Sequence, residues 1–341
     1  MSERVPPERC PPPQPGTSPT PAAPGRPVAP EVVTCGEAML LMVAEPGVPL
    51  ERATVFRRSV AGAESNVATG LARLGHHTRW LGRVGDDPSG RSVLAQLRAD
   101  AIDTSYAVVD PSAPTGLLLR DSHPARAIDV QYHRAGSAAS RLTADELTAE
   151  MVEGARLVHI TGITPMLSDS AHTATLRLLE LARAVGATVS FDPNVRLKLG
   201  TPERWRTVVG PLLEQADVTL AGEDELELLG ATAHGLLAAG VTTAVVKHRD
   251  KSATCSTADG TWRQDAFRVP AADPVGAGDA FAAGFLSGVL SNAPYDRCLA
   301  AAAAVAALVV QCTTDTDGLP DRRGLVRALS SFTGAAETVH R

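Results

Sequence analysis

Between residues 31 and 330 the chain alternates two hydrophobic patterns. Short β-branched runs such as "RLVHI" (156–160), "ATVSFDP" and "VTTAVVKH" are separated by longer stretches whose apolar residues recur at helical spacing. "SDSAHTATLRLLELARAVG" lies between the first two runs, with Ser and Asp to cap its start and a glycine to stop it. Those three segments therefore read as a βαβ unit. "ADVTLAGEDELELLG" adds another strand and helix. The predicted fold class is α/β: a mostly parallel central sheet with helices on both faces. Ligands in such sheets collect at the carboxyl ends of the strands, so the residues just after each strand are the ones to examine.

Two stretches break the alternation. Residues 54–62 ("TVFRRSVAG") and 115–136 ("TGLLLRDSHPARAIDVQYHRAG") read as strands and a hairpin with no helix between. They predict a small β lid over one end of the sheet, built from segments at about 45–62 and 105–136. Alternation along "IDVQYHR" puts Ile128, Val130, Tyr132 and Arg134 on one face. A substrate cover would carry that mixture, and so would a half-buried edge hairpin. Elsewhere Val67, Leu71 and Leu74 mark one helix, and Phe281, Phe285 and Val289 mark another that starts near Gly278. The apolar run at 299–310 is too short to span a bilayer and reads as a buried helix.

Composition narrows the class further. The chain has 341 residues, 44% of them hydrophobic, enough for one large α/β domain or two small ones. Its net charge of −6 and lack of a basic run argue against a nucleic-acid partner. Cys10, Cys35, Cys255, Cys298 and Cys312 are scattered without metal-ligand spacing, which points away from zinc or disulfides and toward the cytoplasm. Residues 1–30 are proline-rich and predict a disordered tail, passive or able to engage a proline-binding module. Residues 331–341 are expected to form a second tail.

The stretch with the most chemical content is "DPVGAGDAFAAGF" (273–285). Its glycines let backbone N–H groups approach an anion, and the helix that follows adds partial positive charge at its start. Asp279 could simply cap that helix. An acid inside an anion cradle is also what phosphoryl transfer needs, as the base for an attacking hydroxyl. In "AGAESNVATGLARLG", Gly62 and Ala63 permit close approach, and Asn66 could hold a sugar hydroxyl or its own local backbone.

Together these stretches resemble the pfkB-type, or ribokinase-like, family of carbohydrate kinases. Ala61, Gly62, Asn66, Gly75 and Gly85 meet its first signature, and Asp273, Gly276, Ala277, Gly278 and Asp279 meet the second. Within the family the likeness is to 2-keto-3-deoxygluconate kinases, through "CGEAMLLM", "RRSVAGAESNVATGLARLG", "YHRAGSAASRL", "HITGITP", "SFDPNVR" and "GLP". The resemblance implies a ribokinase-like fold and ATP- and Mg²⁺-dependent phosphorylation of that sugar acid at its 6-hydroxyl. It implies Asp279 as catalytic base and Gly276, Ala277 and Gly278 as anion hole. Gly62, Asn66, Tyr132, Arg134, Arg196 and Asp315 would contact substrate, the arginines suiting a carboxylate. Asn194, Lys247, Arg249, Ser252, Gly276 and Gly278 would contact nucleotide, and Glu225 would reach the metal through water. A homodimer through the lid is the expected assembly.

The nucleotide side departs from the family pattern. Gly222 replaces the Asn of the family's "NxxE", and in "KHRDKS" Arg249 and Ser252 stand where glycines are usual, which predicts a reshaped loop. Leu118 replaces a frequent aromatic. Two rival readings follow: a kinase for a neutral sugar such as fructose or ribose, and a sugar-binding homologue with impaired catalysis. A neutral-sugar kinase has no use for both Arg134 and Arg196, and the retained Asp279 argues against lost catalysis.

Overall fold

A computed structural model describes residues 29–123 and 126–334. The proline-rich stretch to residue 28, with Cys10, and residues 335–341 lie outside the described residues.

An eight-stranded sheet forms the centre. Its strands run in the order Gly260–Gln264, Ala253–Thr257, Thr243–Lys247, Val218–Gly222, Thr188–Asp192, Leu157–Thr161, Val32–Cys35 and Thr78–Leu81. The six from Thr243–Lys247 to Thr78–Leu81 are parallel, and the first two join antiparallel. Successive residues of a strand face opposite sides, and here both sides are buried. Val33, Val158, Val189 and Phe191 pack under the helices Asp169–Ala184 and Pro202–Leu213. Their neighbours Val32, Leu157 and Leu220 pack under Ala63–Arg73, Ala277–Leu290 and Tyr295–Val309. The continuous apolar runs in the sequence reflect this double coverage.

The predicted βαβ unit is present: Leu157–Thr161, a helix over Asp169–Ala184, then Thr188–Asp192. Ser168 caps the helix by accepting a hydrogen bond from the Ala171 N–H. The 299–310 run lies in the helix Tyr295–Val309. Among the described residues, no helix is long and apolar enough to cross a membrane.

A second sheet has four strands, in the order Phe56–Ala61, Met39–Ala44, Leu117–Arg120 and Val130–His133. Two lid boundaries need correction. Met39–Ala44 was expected outside the lid, yet it is an inner strand, paired antiparallel with Phe56–Ala61 and parallel with Leu117–Arg120. Its buried "MLLMVA" sequence has the apolar character of a central strand. Val108–Asp110, expected within the lid, instead pairs with Arg83–Gly85 in a separate ribbon. The domain boundary set at 330 also falls inside a helix, Arg322–Phe332, whose Phe332 stacks on Phe267 with ring centres 4.7 Å apart.

Candidate active site

The carboxyl ends of the parallel strands deliver polar residues to one end of the sheet. Glu37 follows Val32–Cys35, Asp192 ends its strand with Asn194 and Arg196 just beyond, Gly222 ends the next, and Lys247 ends the one after. The helix Ala277–Leu290 starts against them with Gly276 as its N-cap. Gly276 has φ +82°, and a Cβ there would meet the Asp315 carbonyl oxygen at 2.8 Å. Only glycine fits that position. The first N–H groups of the helix have no acceptor within it; that of Ala277 turns back to the Pro274 carbonyl at 3.4 Å, which leaves those that follow for an anion.

Asp279 lies in the first turn of this helix and is buried. Asn66 donates to its Oδ2 at 2.8 Å and Asn194 to its Oδ1 at 3.2 Å. Burial pushes the Asp279 carboxyl up to about 7; the Asn66 hydrogen bond and the Arg196 charge oppose the shift, while Asp192 and Asp315 add to it. A carboxyl in that range is half ionised at neutral pH, which suits a base.

The sugar-sized end of the cleft is bordered by Gly62, Asn66, Tyr132, Arg134, Arg196, Asp279 and Asp315. Gly62 adopts φ +150°, and a Cβ there would meet the Glu37 carbonyl oxygen at 2.2 Å. Arg134 is buried, pairs with Glu37 and lies over the Tyr132 ring, 5.4 Å from its centre. Ser137 holds the other Glu37 oxygen with a 2.6 Å hydrogen bond. The Arg134 Nε has no partner in this arrangement. Arg196 donates to the Val195 carbonyl at 3.0 Å and makes no ion pair among the described residues, though its charge acts on the Asp279 carboxyl.

Beneath this end sits a fully buried charge cluster. Arg120 pairs with Asp273 and, at 2.9 Å, with Asp315, and it also donates to the Thr313 carbonyl. One guanidinium thus joins the small sheet to both loops around the glycine turn. Burial pushes the Asp315 carboxyl up, and Arg120 and Asn66 oppose the shift. Glu64 is also buried, with Oε1 accepting from Thr161 and Thr164 at 2.7 Å each.

The adjoining, wider end is a cavity of about 770 Å³ whose lining includes Asn194, Glu225, Lys247, Gly276 and Gly278. Lys247 donates to Asp192 at 2.8 Å. Burial disfavours its charge, but Asp192, Glu225 and Asp279 outweigh that and push its pKa up. Glu225 accepts from the Val195 and Gly222 backbone N–H groups at 2.8 and 2.7 Å. Burial raises its carboxyl, Asp192 adds to the shift, and Lys247 opposes it. A cradle of helix N–H groups beside an ammonium and a raised carboxyl can hold a polyphosphate and deprotonate a hydroxyl presented to it.

Residues 29–322 match the family described as pfkB family carbohydrate kinase. The chain belongs to that family. This pfkB kinase is 37% identical over 320 residues to the 2-dehydro-3-deoxygluconokinase of Bacillus subtilis (strain 168), covering 91% of this chain and 97% of the relative. It is 34% identical to the 2-dehydro-3-deoxygalactonokinase of Haloferax volcanii, covering 82% and 90%. Its fold is similar to the crystal structure of the PfkB protein from Polaromonas sp. JS666, with a TM-score of 0.78, 38% identity and coverage of 87% and 99%.

The geometry sorts the residues expected to act. Asp279, Gly276, Gly62, Asn66, Tyr132, Arg134, Arg196 and Asp315 come together around one cavity, and Gly278 lines the adjoining one. Asn194, expected to contact nucleotide, reaches Asp279 directly and takes φ +43° to do so. Arg249 and Ser252 lie outside the lining of that adjoining cavity. Arg249 is exposed, pairs with Glu227 and donates its backbone N–H to the Glu223 carboxylate at 3.1 Å. Ser252 is buried and turned onto Asp250, its hydroxyl donating at 2.6 Å. The loop meets its need for a left-handed residue at Lys251, φ +70°, instead of at either altered position.

Arg120, Glu37, Glu64 and Asp192 carry much of the site and were not singled out from sequence. Arg120 had a signal: in "TGLLLRD" it shares a strand face with Leu118, and a charge on an apolar face demands a buried partner. Glu37 follows a strand end directly. Glu64 gives none, since an acid in a helix's first turn is ordinary.

Proposed function

We propose that this kinase transfers the terminal phosphoryl group of ATP to the 6-hydroxyl of 2-keto-3-deoxygluconate, giving 2-keto-3-deoxy-6-phosphogluconate. One observation carries the substrate class: Arg134 and Arg196 border the same small cavity as Asp279. The unpartnered Nε of Arg134, and Arg196, which makes no ion pair among the described residues, suit a carboxylate, which planar guanidinium groups bind best. A neutral sugar would leave that charge unanswered. The Bacillus relative's name describes the same sugar acid and supports this reading. The Haloferax relative's name describes the galactonate-derived epimer, which is the second reading worth testing.

Roles follow from position. Arg134 and Arg196 orient the acid, Gly62 lets the backbone come close, Tyr132 covers the sugar, and Asp315 accepts from a hydroxyl. Asn66 and Asn194 hold the Asp279 carboxyl so that it can take the proton of the 6-hydroxyl. The N–H groups at Gly276, Ala277 and Gly278 meet the charge that develops on the transferring group, with Lys247 beside them. The small sheet acts as a lid that excludes water, and it is the surface through which two copies would pair in a cytoplasmic homodimer.

Magnesium, bound with the nucleotide, neutralises phosphate charge. No group of three His, Cys, Asp or Glu among the described residues could hold a metal ion. Glu225, with both oxygens already accepting backbone N–H groups, fits an indirect role through water.

A coupled assay for ADP release with a panel of sugars and sugar acids tests the substrate. Turnover on 2-keto-3-deoxygluconate above its galactonate-derived epimer is expected. Turnover on fructose or ribose with none on either acid would reject the assignment.

A further inference from the structure

Beyond the wall made by Tyr132, Arg134 and Arg196 lies a second cavity of about 690 Å³. It shares those three residues and Val130 with the sugar cavity. Lys198, Arg204 and His133 line it as well, and no acidic residue does.

The charges there are poorly compensated. Lys198 donates to the Val130 carbonyl at 2.6 Å and lies 5.8 Å from the centre of the Tyr132 ring, while Arg196 meets only the Val195 carbonyl. Carbonyls and ring faces orient a cation without cancelling its net charge. Arg204 pairs at 3.9 Å with Asp169, which is fully exposed, where solvent screening is strongest. Of the cations lining the cavity, Arg134 has a buried acid in contact, Glu37. Arg204 also sits in the first turn of Pro202–Leu213, where a cation opposes the helix dipole instead of complementing it. Glu203 in the same turn answers the helix terminus and pairs with Arg206 at 3.6 Å, so the positive potential at this place comes from the Arg204 side chain. In a chain of net charge −6 such a concentration has a local cause.

We infer that this outer cavity is an anion-gathering vestibule, in which Lys198 and Arg204 draw in the carboxylate of the sugar acid and pass it to Arg196 and Arg134. This rests on the sugar-acid reading above. A cleft lined by one sign of charge raises the local concentration of its counter-ion and the encounter rate, and loses that advantage as salt rises.

The test compares the unaltered enzyme with Lys198→Gln, Arg204→Gln and the double variant. Each is assayed on 2-keto-3-deoxygluconate at saturating nucleotide and magnesium, at low and high ionic strength. Both side chains reach solvent, so folding is expected to survive, and unfolding midpoints verify it. The double variant should lose about tenfold in kcat/KM at low salt, through KM, and its dependence on salt should flatten. Lys198→Arg keeps the charge and should retain the salt dependence of the unaltered enzyme. Variants that match the unaltered enzyme in kcat/KM and salt slope overturn the vestibule. So does a loss equally large at high salt, which marks a contact and not a field. An unaltered enzyme inactive on the acid fails the substrate reading, and the vestibule with it; an active one with unresponsive variants fails the vestibule alone.

Discussion

The two halves of the cleft are built differently. At the sugar end all the charged side chains but Arg196 are buried, and they are bonded to partners far away in sequence: Arg120 joins Asp273 and Asp315, Arg134 meets Glu37, and Glu64 takes two threonine hydroxyls. At the nucleotide end the altered loop is held by exposed pairs, Arg249 with Glu227 and Arg263 with Asp250. A small substrate must be fixed by side chains, whose geometry fails if one partner is lost. A polyphosphate can be held by backbone N–H groups, which any sequence with the right turn supplies. The difference explains why glycines could be lost from the "KHRDKS" loop while the sugar end kept its pattern.

The largest effect is expected where the halves meet. Asp279→Asn should lower kcat by about 10²–10⁴-fold, the usual contribution of a general base, with the fold intact. Since burial pushes this carboxyl up to about 7, the unaltered enzyme should lose activity as pH falls through that value. The sign for stability runs the other way. A carboxyl raised on folding stabilises fully below its unfolded value of about 4 and loses that contribution as pH rises to about 7. Asp279→Asn removes that penalty but turns an amide donor toward Asn66 or Asn194, so its stability should vary less between acid and neutral pH than that of the unaltered protein. Urea titrations at acid and neutral pH would check this, and an activity limb unmoved by pH would place the base elsewhere.

Next in size is the sugar end's buried cation. Arg120→Ala leaves Asp273 and Asp315 without their partner, and breaking a buried pair in this way costs about 3–5 kcal/mol. The urea midpoint should fall accordingly. A drop of less than 1 kcal/mol would mean the cluster relaxes into solvent, and the contrast between the halves would fail.

The same contrast explains what was legible in the sequence. The central sheet was, because helix and strand periods follow directly from its two buried faces. The helix start at Gly276 was too, from its two glycines, while Asp279 reads locally as a cap and gains a role only beside the Asn66 stretch. The place of Met39–Ala44 inside the small sheet was not: its apolar run would suit either sheet, and pairing with Leu117–Arg120 is decided by tertiary structure. Arg120, Glu37 and Glu64 stayed hidden because their partners lie between 97 and 195 residues away in sequence. Arg249 and Ser252 show the opposite case. They occupy positions in a pattern whose left-handed residue is here Lys251.

Smaller losses should come from the clamp. Arg134→Ala and Arg196→Ala should each raise KM for the sugar acid by the worth of a charged hydrogen bond, about 1.5–3 kcal/mol, or roughly 10- to 150-fold. Arg134→Ala should cost stability as well, since it strands the buried Glu37, whereas the exposed Arg196 should not. An unchanged KM in both variants would remove the carboxylate from this end of the cleft.

The smallest effect belongs to Arg249, and it probes the nucleotide end directly. Its guanidinium faces solvent and meets Glu227, an exposed partner, and such pairs are worth about 0–1 kcal/mol. Its backbone N–H, which donates to Glu223 at 3.1 Å, survives replacement by alanine. Arg249→Ala should therefore leave the unfolding midpoint and the KM for ATP close to those of the unaltered enzyme. Lys251→Gly should stabilise slightly if anything, because the residue holds φ +70° without the freedom of glycine. If Arg249→Ala instead raised the KM for ATP tenfold, the side chain would have to swing from Glu227 onto the nucleotide. The nucleotide end would then rely on side chains as the sugar end does, and backbone tolerance could not account for the altered loop.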